Sequence, residues 1–358
     1  MEAKFILSKR ILHEQYDFFK KLGLRVSYSV KTNPLVASIL FKETDSNFSI
    51  HNILDFKDVP SGKRVTFFSQ AWNKQMLEEI FSKGIQSFVV DNERDLEVLL
   101  DFLKFADGKY KIDLALRMKF RENRIHTGKY FVYGMASGKV CQLLNELKDN
   151  NNIARLGIHI HRKSQNASEW NIKQDLEDAI PIEVLKIIKF VNLGGGYPVR
   201  YRTYVAPILD YITDKLEEVR NWLKSYGIET IVEPGRFIAA PCIKLEAEII
   251  QVYGNNIVIN CSLYNSQLDT LLTDIRLLVD GELEQSDNSS SESDDSEKKG
   301  EEYIIKGNTP TRDDIFRYKV KLKEAKVGDK ITFLNAGAYN YTTEFCNLKK
   351  LNTIIRED

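Results

Sequence analysis

Phe190-Val-Asn-Leu-Gly-Gly-Gly196 begins a segment, 190–233, that carries the pattern of the whole fold. A short apolar run, 190–193, ends in three glycines. In 204–226, Val205, Leu209, Ile212, Leu216, Val219 and Leu223 then recur every three or four residues, the period of an amphipathic helix. A second apolar run, 230–233, follows. Two buried strands joined by a helix make a parallel pair with its crossover. The same alternation extends outward in both directions. Runs at 25–30, 64–68, 87–90, 112–117 and 154–160 are each short enough for a buried strand, and helix-like segments such as 74–83 and 92–105 lie between them. Seven such units plus one further unit, over about 250 residues, suit a (β/α)8 TIM-type barrel. A doubly wound open sheet is the alternative, but no G-x-G-x-x-G follows the first strand. We expect the barrel over 8–240.

Past residue 241 the texture changes. Runs at 244–252, 256–260, 302–306, 317–322 and 330–334 read as strands with few helices between. A C-terminal β domain over 241–358 is expected, joined by residues 1–7. The acidic, serine-rich tract within 284–301 cannot bury enough apolar surface to order itself and reads as a disordered loop.

Composition excludes several classes. The 51 basic residues balance the 51 acidic ones, so the chain has no field for nucleic acid or an anionic membrane. No apolar run reaches a membrane span of roughly 20 residues. The start lacks a signal-peptide core, and Cys141, Cys242, Cys261 and Cys346 are too scattered for a disulfide framework or zinc site. A cytoplasmic location with no metal is expected.

Five motifs carry chemistry. Tyr28-Ser-Val-Lys-Thr-Asn33 puts Lys31 at the end of a buried strand, where an amine of lowered pKa can bond an aldehyde; a lysine snorkelling to solvent is the alternative. In Gly157-Ile-His-Ile-His-Arg-Lys-Ser-Gln165, His159 and His161 face one side of a strand. His161 suits stacking on a cofactor ring, and His159 suits the core. Gly194, Gly195 and Gly196 let backbone amides approach a phosphate, or make only a tight turn. Val232-Glu-Pro-Gly-Arg-Phe237 offers Glu233 for a heterocyclic nitrogen and Arg236 for phosphate, or a surface salt bridge. Asn335-Ala-Gly-Ala-Tyr339 is weak alone.

Together and in this order, the motifs resemble the fold-type III pyridoxal-phosphate decarboxylases, among them the ornithine, diaminopimelate, arginine and carboxynorspermidine decarboxylases. The resemblance spans nearly the whole chain. It implies pyridoxal 5'-phosphate on Lys31, with His161 on the ring face and Glu233 at the ring nitrogen. It also implies Arg117 near the phenolic oxygen, and Ser164, Gly194, Gly195, Gly196, Gly235, Arg236 and Tyr339 around the phosphate. It implies decarboxylation at Cα of an amino acid, in a homodimer whose active sites lie at the subunit interface.

The chain departs from the family at three places. In Gly307-Asn-Thr-Pro-Thr-Arg-Asp-Asp314 the family's proton-donating cysteine is Pro310 and the following acid is Thr311, while Asp314 keeps the last position. Arg312 stands beside the lost acid, and a second substrate-binding acid falls near Thr273 or Asp274. An arginine fork suits a carboxylate. Arg312, Asp314 and Asp274 are therefore expected to bind a substrate with an extra distal acid, of the diaminopimelate, carboxynorspermidine or N-citryl-ornithine type, in lysine, polyamine or siderophore biosynthesis. The third departure is Phe48-Ser-Ile-His-Asn52 in place of the family's Phe-Asp-x-x-Ser, which leaves His51 unassigned. An ornithine/lysine decarboxylase and an inactive homologue that regulates active subunits are the competing expectations.

Overall fold

The computed structural model describes residues 1–119, 133–162, 165, 169–204, 209–283 and 300–358. The chain divides into two compact units. One is Tyr16–Pro198 with Pro207–Gly235; the other is Met1–Gln15 with Val199–Ala206 and Arg236–Asp358.

The first unit is a closed barrel. Its eight parallel strands are Arg25–Ser29, Asn47–Ile50, Val65–Phe67, Ser87–Val90, Ile112–Lys119, Ile153–His159, Phe190–Asn192 and Glu229–Val232. Each pairs with the next, and the last closes on the first with Ile231 opposite Arg25. Seven match the expected runs, and Asn47–Ile50 supplies the eighth. Asn33, Asn73 and Asn92 each start a barrel helix by accepting backbone amides on the side chain, which satisfies donors the helix itself leaves open. The helix Leu209–Ser225 buries Ile212, Leu216, Val219 and Leu223, each worth about 1.5–3 kcal/mol of apolar burial. Inside the barrel Val89, Ala115 and Phe190 form a packed layer with Phe68 and Ile231. Gly157 makes room for it, since a Cβ there would stand 2.6 Å from the Phe190 ring.

The second unit is a mixed sheet. Leu278–Val279, Lys330–Leu334, Ile243–Tyr253, Asn256–Ile259, Glu301–Lys306 and Ile315–Leu322 lie in that order. Ile243, Leu245, Ala247 and Ile249 alternate into its core, the period of a half-buried strand. Lys4–Ser8 joins this sheet, antiparallel to Ile243–Tyr253 with Phe5 opposite Leu245. Its other edge pairs in parallel with Asn352–Arg356, a strand the sequence reading lacked. The acidic tract lies outside the described residues. No helix among the described residues is long and apolar enough to cross a membrane.

Candidate active site

The ends of the barrel strands gather the site. The first strand turns at Val30–Thr32, and Asn33 stops the turn by capping the helix Pro34–Glu43. Lys31 is thereby held at the barrel mouth, accessible to solvent. Partial burial lowers its pKa; Glu233 opposes that effect and Arg117 adds to it. The amine is therefore easier to free of its proton than an ordinary lysine.

Glu233, just past the last barrel strand, is buried. Its Oε1 accepts from Ser49 Oγ at 2.7 Å and Asn192 Nδ2 at 2.9 Å, and its Oε2 lies 3.3 Å from His159 Nε2. Burial alone would push this carboxyl up. The attraction of His159 and the hydrogen bonds from His159, Ser49 and Asn192 outweigh it and hold the group well below the usual carboxylate range. Three donors leave one acceptor position on an ionised carboxylate, room for a protonated ring nitrogen. Asn192 also accepts the Gly194 amide at 2.9 Å, so one side chain ties the acid to the glycine loop.

That loop needs its glycines. Gly194 and Gly196 have φ +67° and +100°, and a Cβ on Gly194 would stand 2.3 Å from the Ile160 carbonyl oxygen. The Gly195 amide donates to His161 Nδ1 at 3.2 Å. Burial lowers the His161 pKa to about 3, with His159 and Arg117 adding to the effect. The ring is neutral at pH 7 and presents an uncharged face. Arg117 is buried and donates to Asp91 at 2.9 Å, with its guanidinium 5.1 Å from the Phe68 ring centre. Gly235 lies against Thr32, whose buried hydroxyl has no partner; a Cβ on Gly235 would stand 2.1 Å from it. Ser164 lies outside the described residues.

In the second unit Arg236 is buried. Its two terminal nitrogens reach Asp269 at 2.5 and 3.1 Å, and one of them also donates to the Tyr201 hydroxyl at 3.2 Å. The half-buried Tyr339 ring, at φ +52°, lies 5.1 Å from the guanidinium. Burial would lower the arginine pKa, but Tyr201 and Asp269 reverse the direction.

A lysine of lowered pKa, an ionised acid with one acceptor site, a neutral imidazole face and a glycine cradle fit pyridoxal phosphate. Residues 10–240 match the family model described as pyridoxal-dependent decarboxylase, pyridoxal binding domain. The chain belongs to the pyridoxal-dependent decarboxylases. Among decarboxylases of this family it is 24% identical over 267 residues to the Bacillus subtilis diaminopimelate decarboxylase, covering 65% of this chain and 59% of that one. It is 23% identical over 292 residues to the Campylobacter jejuni carboxynorspermidine/carboxyspermidine decarboxylase, covering 76% and 69%. The chain thus spans about three fifths of the length of the first of these relatives. The fold matches that of the Helicobacter pylori diaminopimelate decarboxylase solved with L-lysine, with TM-score 0.80, 17% identity, and 100% and 92% of the two chains covered.

The stretch 307–314 is held partly by its own side chains. Asp314 is buried, and its carboxylate accepts from the Leu263 amide at 2.9 Å, the Thr309 amide at 3.2 Å and the Thr309 hydroxyl at 2.6 Å, which staples the loop. The Arg312 side chain is 92% exposed and reaches Asp313 at 3.3 Å. Cys261, distant in sequence, adjoins this loop, since its carbonyl accepts from the Asn308 amide at 3.2 Å. Its thiol is sealed, and burial pushes its pKa far up. Asp274 ends a helix at φ +56° and receives Arg276 Nε at 2.9 Å. Tyr264, Thr270, Asp274, Arg276, Asp313 and Tyr318 line a cavity of about 360 Å³. Sequence reasoning missed Ser49, Asn192, Asp91, Asp269 and Arg276. Ser49, Asn192, Asp91 and Asp269 each act on a partner at least 26 residues away, which spacing along the chain does not reveal.

Proposed function

We propose that this chain decarboxylates, at Cα, a basic amino acid or derivative carrying a distal carboxylate, with pyridoxal phosphate on Lys31. The observation that carries the reading is Glu233, buried and held ionised by three donors. When bound, the cofactor supplies the electron sink for the bond broken at Cα. Glu233 keeps a proton at the ring nitrogen, which makes that sink deep. His161 would hold the ring face, the loop Gly194–Gly196 would leave room for the phosphate, with Gly194 and Gly195 amides tied to Asn192 and His161, and Arg117 would stand for the phenolic oxygen.

The cavity around Arg276 supports the distal acid. Its lining holds one guanidinium, paired with Asp274, and a second carboxylate, Asp313, a match for a group bearing both an anion and a cation. Arg276 fits this role better than the solvent-facing Arg312. Diaminopimelate carries such a group. Carboxynorspermidine has its one carboxylate at the reacting carbon, so it would test the acidic pair instead. We further propose a homodimer in which this cavity serves the partner's Lys31.

The test is carbon dioxide release from ornithine, lysine, arginine, meso-diaminopimelate, carboxynorspermidine and N-citryl-ornithine, with Lys31→Ala as control. Release from an acid-tailed substrate that the control abolishes is expected, and Arg276→Ala should raise KM for that substrate about 10-fold or more. Release from ornithine or lysine alone discards the distal acid. No release from any substrate, with the cofactor still bound to Lys31, discards the activity.

A further inference from the structure

Lys31 has a neighbour that the family assignment does not use. Tyr28 and Ser29 of the first barrel strand lie opposite Phe48 and Ser49 of the second, and the Ser27 and Ser49 hydroxyls meet at 2.8 Å. The turn Val30–Thr32 packs against that second strand. Lys31 lies in that turn and His51 is the first residue past the end of that strand, so both leave neighbouring strand ends. The His51 amide donates to Asp55 at 3.4 Å, and its ring lies 5.6 Å from that of Phe68. Phe68 in turn touches His159, ring centres 5.3 Å apart. His51 Nδ1 is sealed from solvent and has no partner. Buried ring nitrogens are normally paired, so an open one beside a lysine is a place for a travelling proton.

The reaction needs such a place. Loss of the carboxylate leaves an electron pair on carbon that must take a proton, and the position of the family's cysteine is Pro310. His159 is engaged by Glu233, and His161 by Gly195.

We propose that His51 relays the proton that completes the reaction, taking one on Nδ1 from the Lys31 ammonium and giving the one on Nε2 to the carbon that has lost its carboxylate. A Lys31 N–H bond and the His51 Nε2–H bond break. An Nδ1–H bond and a C–H bond form, the latter from the electron pair that carbon dioxide leaves behind. Lys31 ends as a free amine, and His51 remains a neutral imidazole with its proton moved to the other nitrogen. Burial, with Lys31 adding to it, pushes His51 down to about 4, so the ring is neutral at pH 7 and able to accept and donate together.

The assignment rests on the decarboxylase reading, and the experiment separates the two. His51→Gln and His51→Asn are prepared as full-length holoenzymes. The cofactor Kd is read by absorbance titration of the apoprotein, and kcat, KM and pyridoxamine phosphate are measured over many turnovers. We expect kcat to fall about 100-fold, the scale of lost acid–base assistance, with KM and cofactor Kd within about twofold. Pyridoxamine phosphate should accumulate, the mark of a proton delivered to the cofactor's carbon instead of the substrate's. Unchanged kcat and no pyridoxamine phosphate overturn the relay. Variants that lose the cofactor or the fold make His51 structural and overturn it as well. A wild-type enzyme that releases no carbon dioxide from any substrate overturns the activity first and the relay with it.

Discussion

Glu233 owes its charge to three side chains whose meeting no single motif announces. Ser49, Asn192 and His159 come from three different strands, 184, 41 and 74 residues away. If Glu233 holds a proton at the ring nitrogen as proposed, Glu233→Gln should lower kcat about 100-fold or more while borohydride still traps the cofactor on Lys31. His161 gives a pH signature. Its folded pKa of about 3 lies below the unfolded value of about 6.5. As pH falls, the unfolded state binds the proton first, so stability present above about pH 6.5 is lost progressively toward pH 3. By pH 5 the loss should be on the order of 1–2 kcal/mol, and His161→Gln should lose that much less between pH 7 and 5 by denaturant titration. An equal loss in both proteins would deny His161 a buried neutral ring. Lys31, His161, the glycines and Glu233 were legible because each sits in a short contiguous motif. Asp269, which fixes Arg236 from 33 residues away, was not.

At the scale of elements, seven barrel strands were readable from the strand–helix alternation, although Arg25–Ser29 is three-fifths polar. The eighth, Asn47–Ile50, has two polar residues in four, and one of them, Ser49, points to a carboxylate rather than to apolar packing. Asn352–Arg356 was unreadable for a different reason: it is an edge strand, mostly exposed, with no amphipathic alternation to betray it. The turn at Lys31 and the loop after the last barrel strand are fitted to each other, because Gly235 has no side chain where the Thr32 hydroxyl stands. Gly235→Ala should displace the lysine turn, raising the cofactor Kd about 10-fold or more and costing roughly 1–3 kcal/mol of overpacking. Thr32→Ala in the same protein should recover most of both. Absence of that recovery would place the strain elsewhere.

For the whole molecule, the shared-site proposal makes a prediction that single chains cannot fulfil. Light scattering should give twice the 41.3 kDa chain mass. Lys31→Ala and Arg276→Ala proteins, each nearly inactive on an acid-tailed substrate, should regain about a quarter of wild-type activity when dissociated and mixed, since half the chains pair with the other variant and each such pair rebuilds one site. No recovery in a mixture shown by mass to exchange subunits would confine the site to one chain.

The parallel pairing of Lys4–Ser8 with Asn352–Arg356 also sets a timetable. Lys4 lies opposite Asn352, 348 positions later. On a ribosome adding about 5–20 residues per second, the earliest strand waits roughly 20–70 s for that neighbour. The barrel strands are all made before it arrives. The nascent Lys4–Ser8 meanwhile exposes an unsatisfied strand edge, the kind of surface that invites mispairing with other chains. A stop codon at position 351 should therefore leave barrel synthesis intact yet sharply lower the soluble yield, and co-expressed chaperones should recover more of that yield for the truncated chain than for the full one.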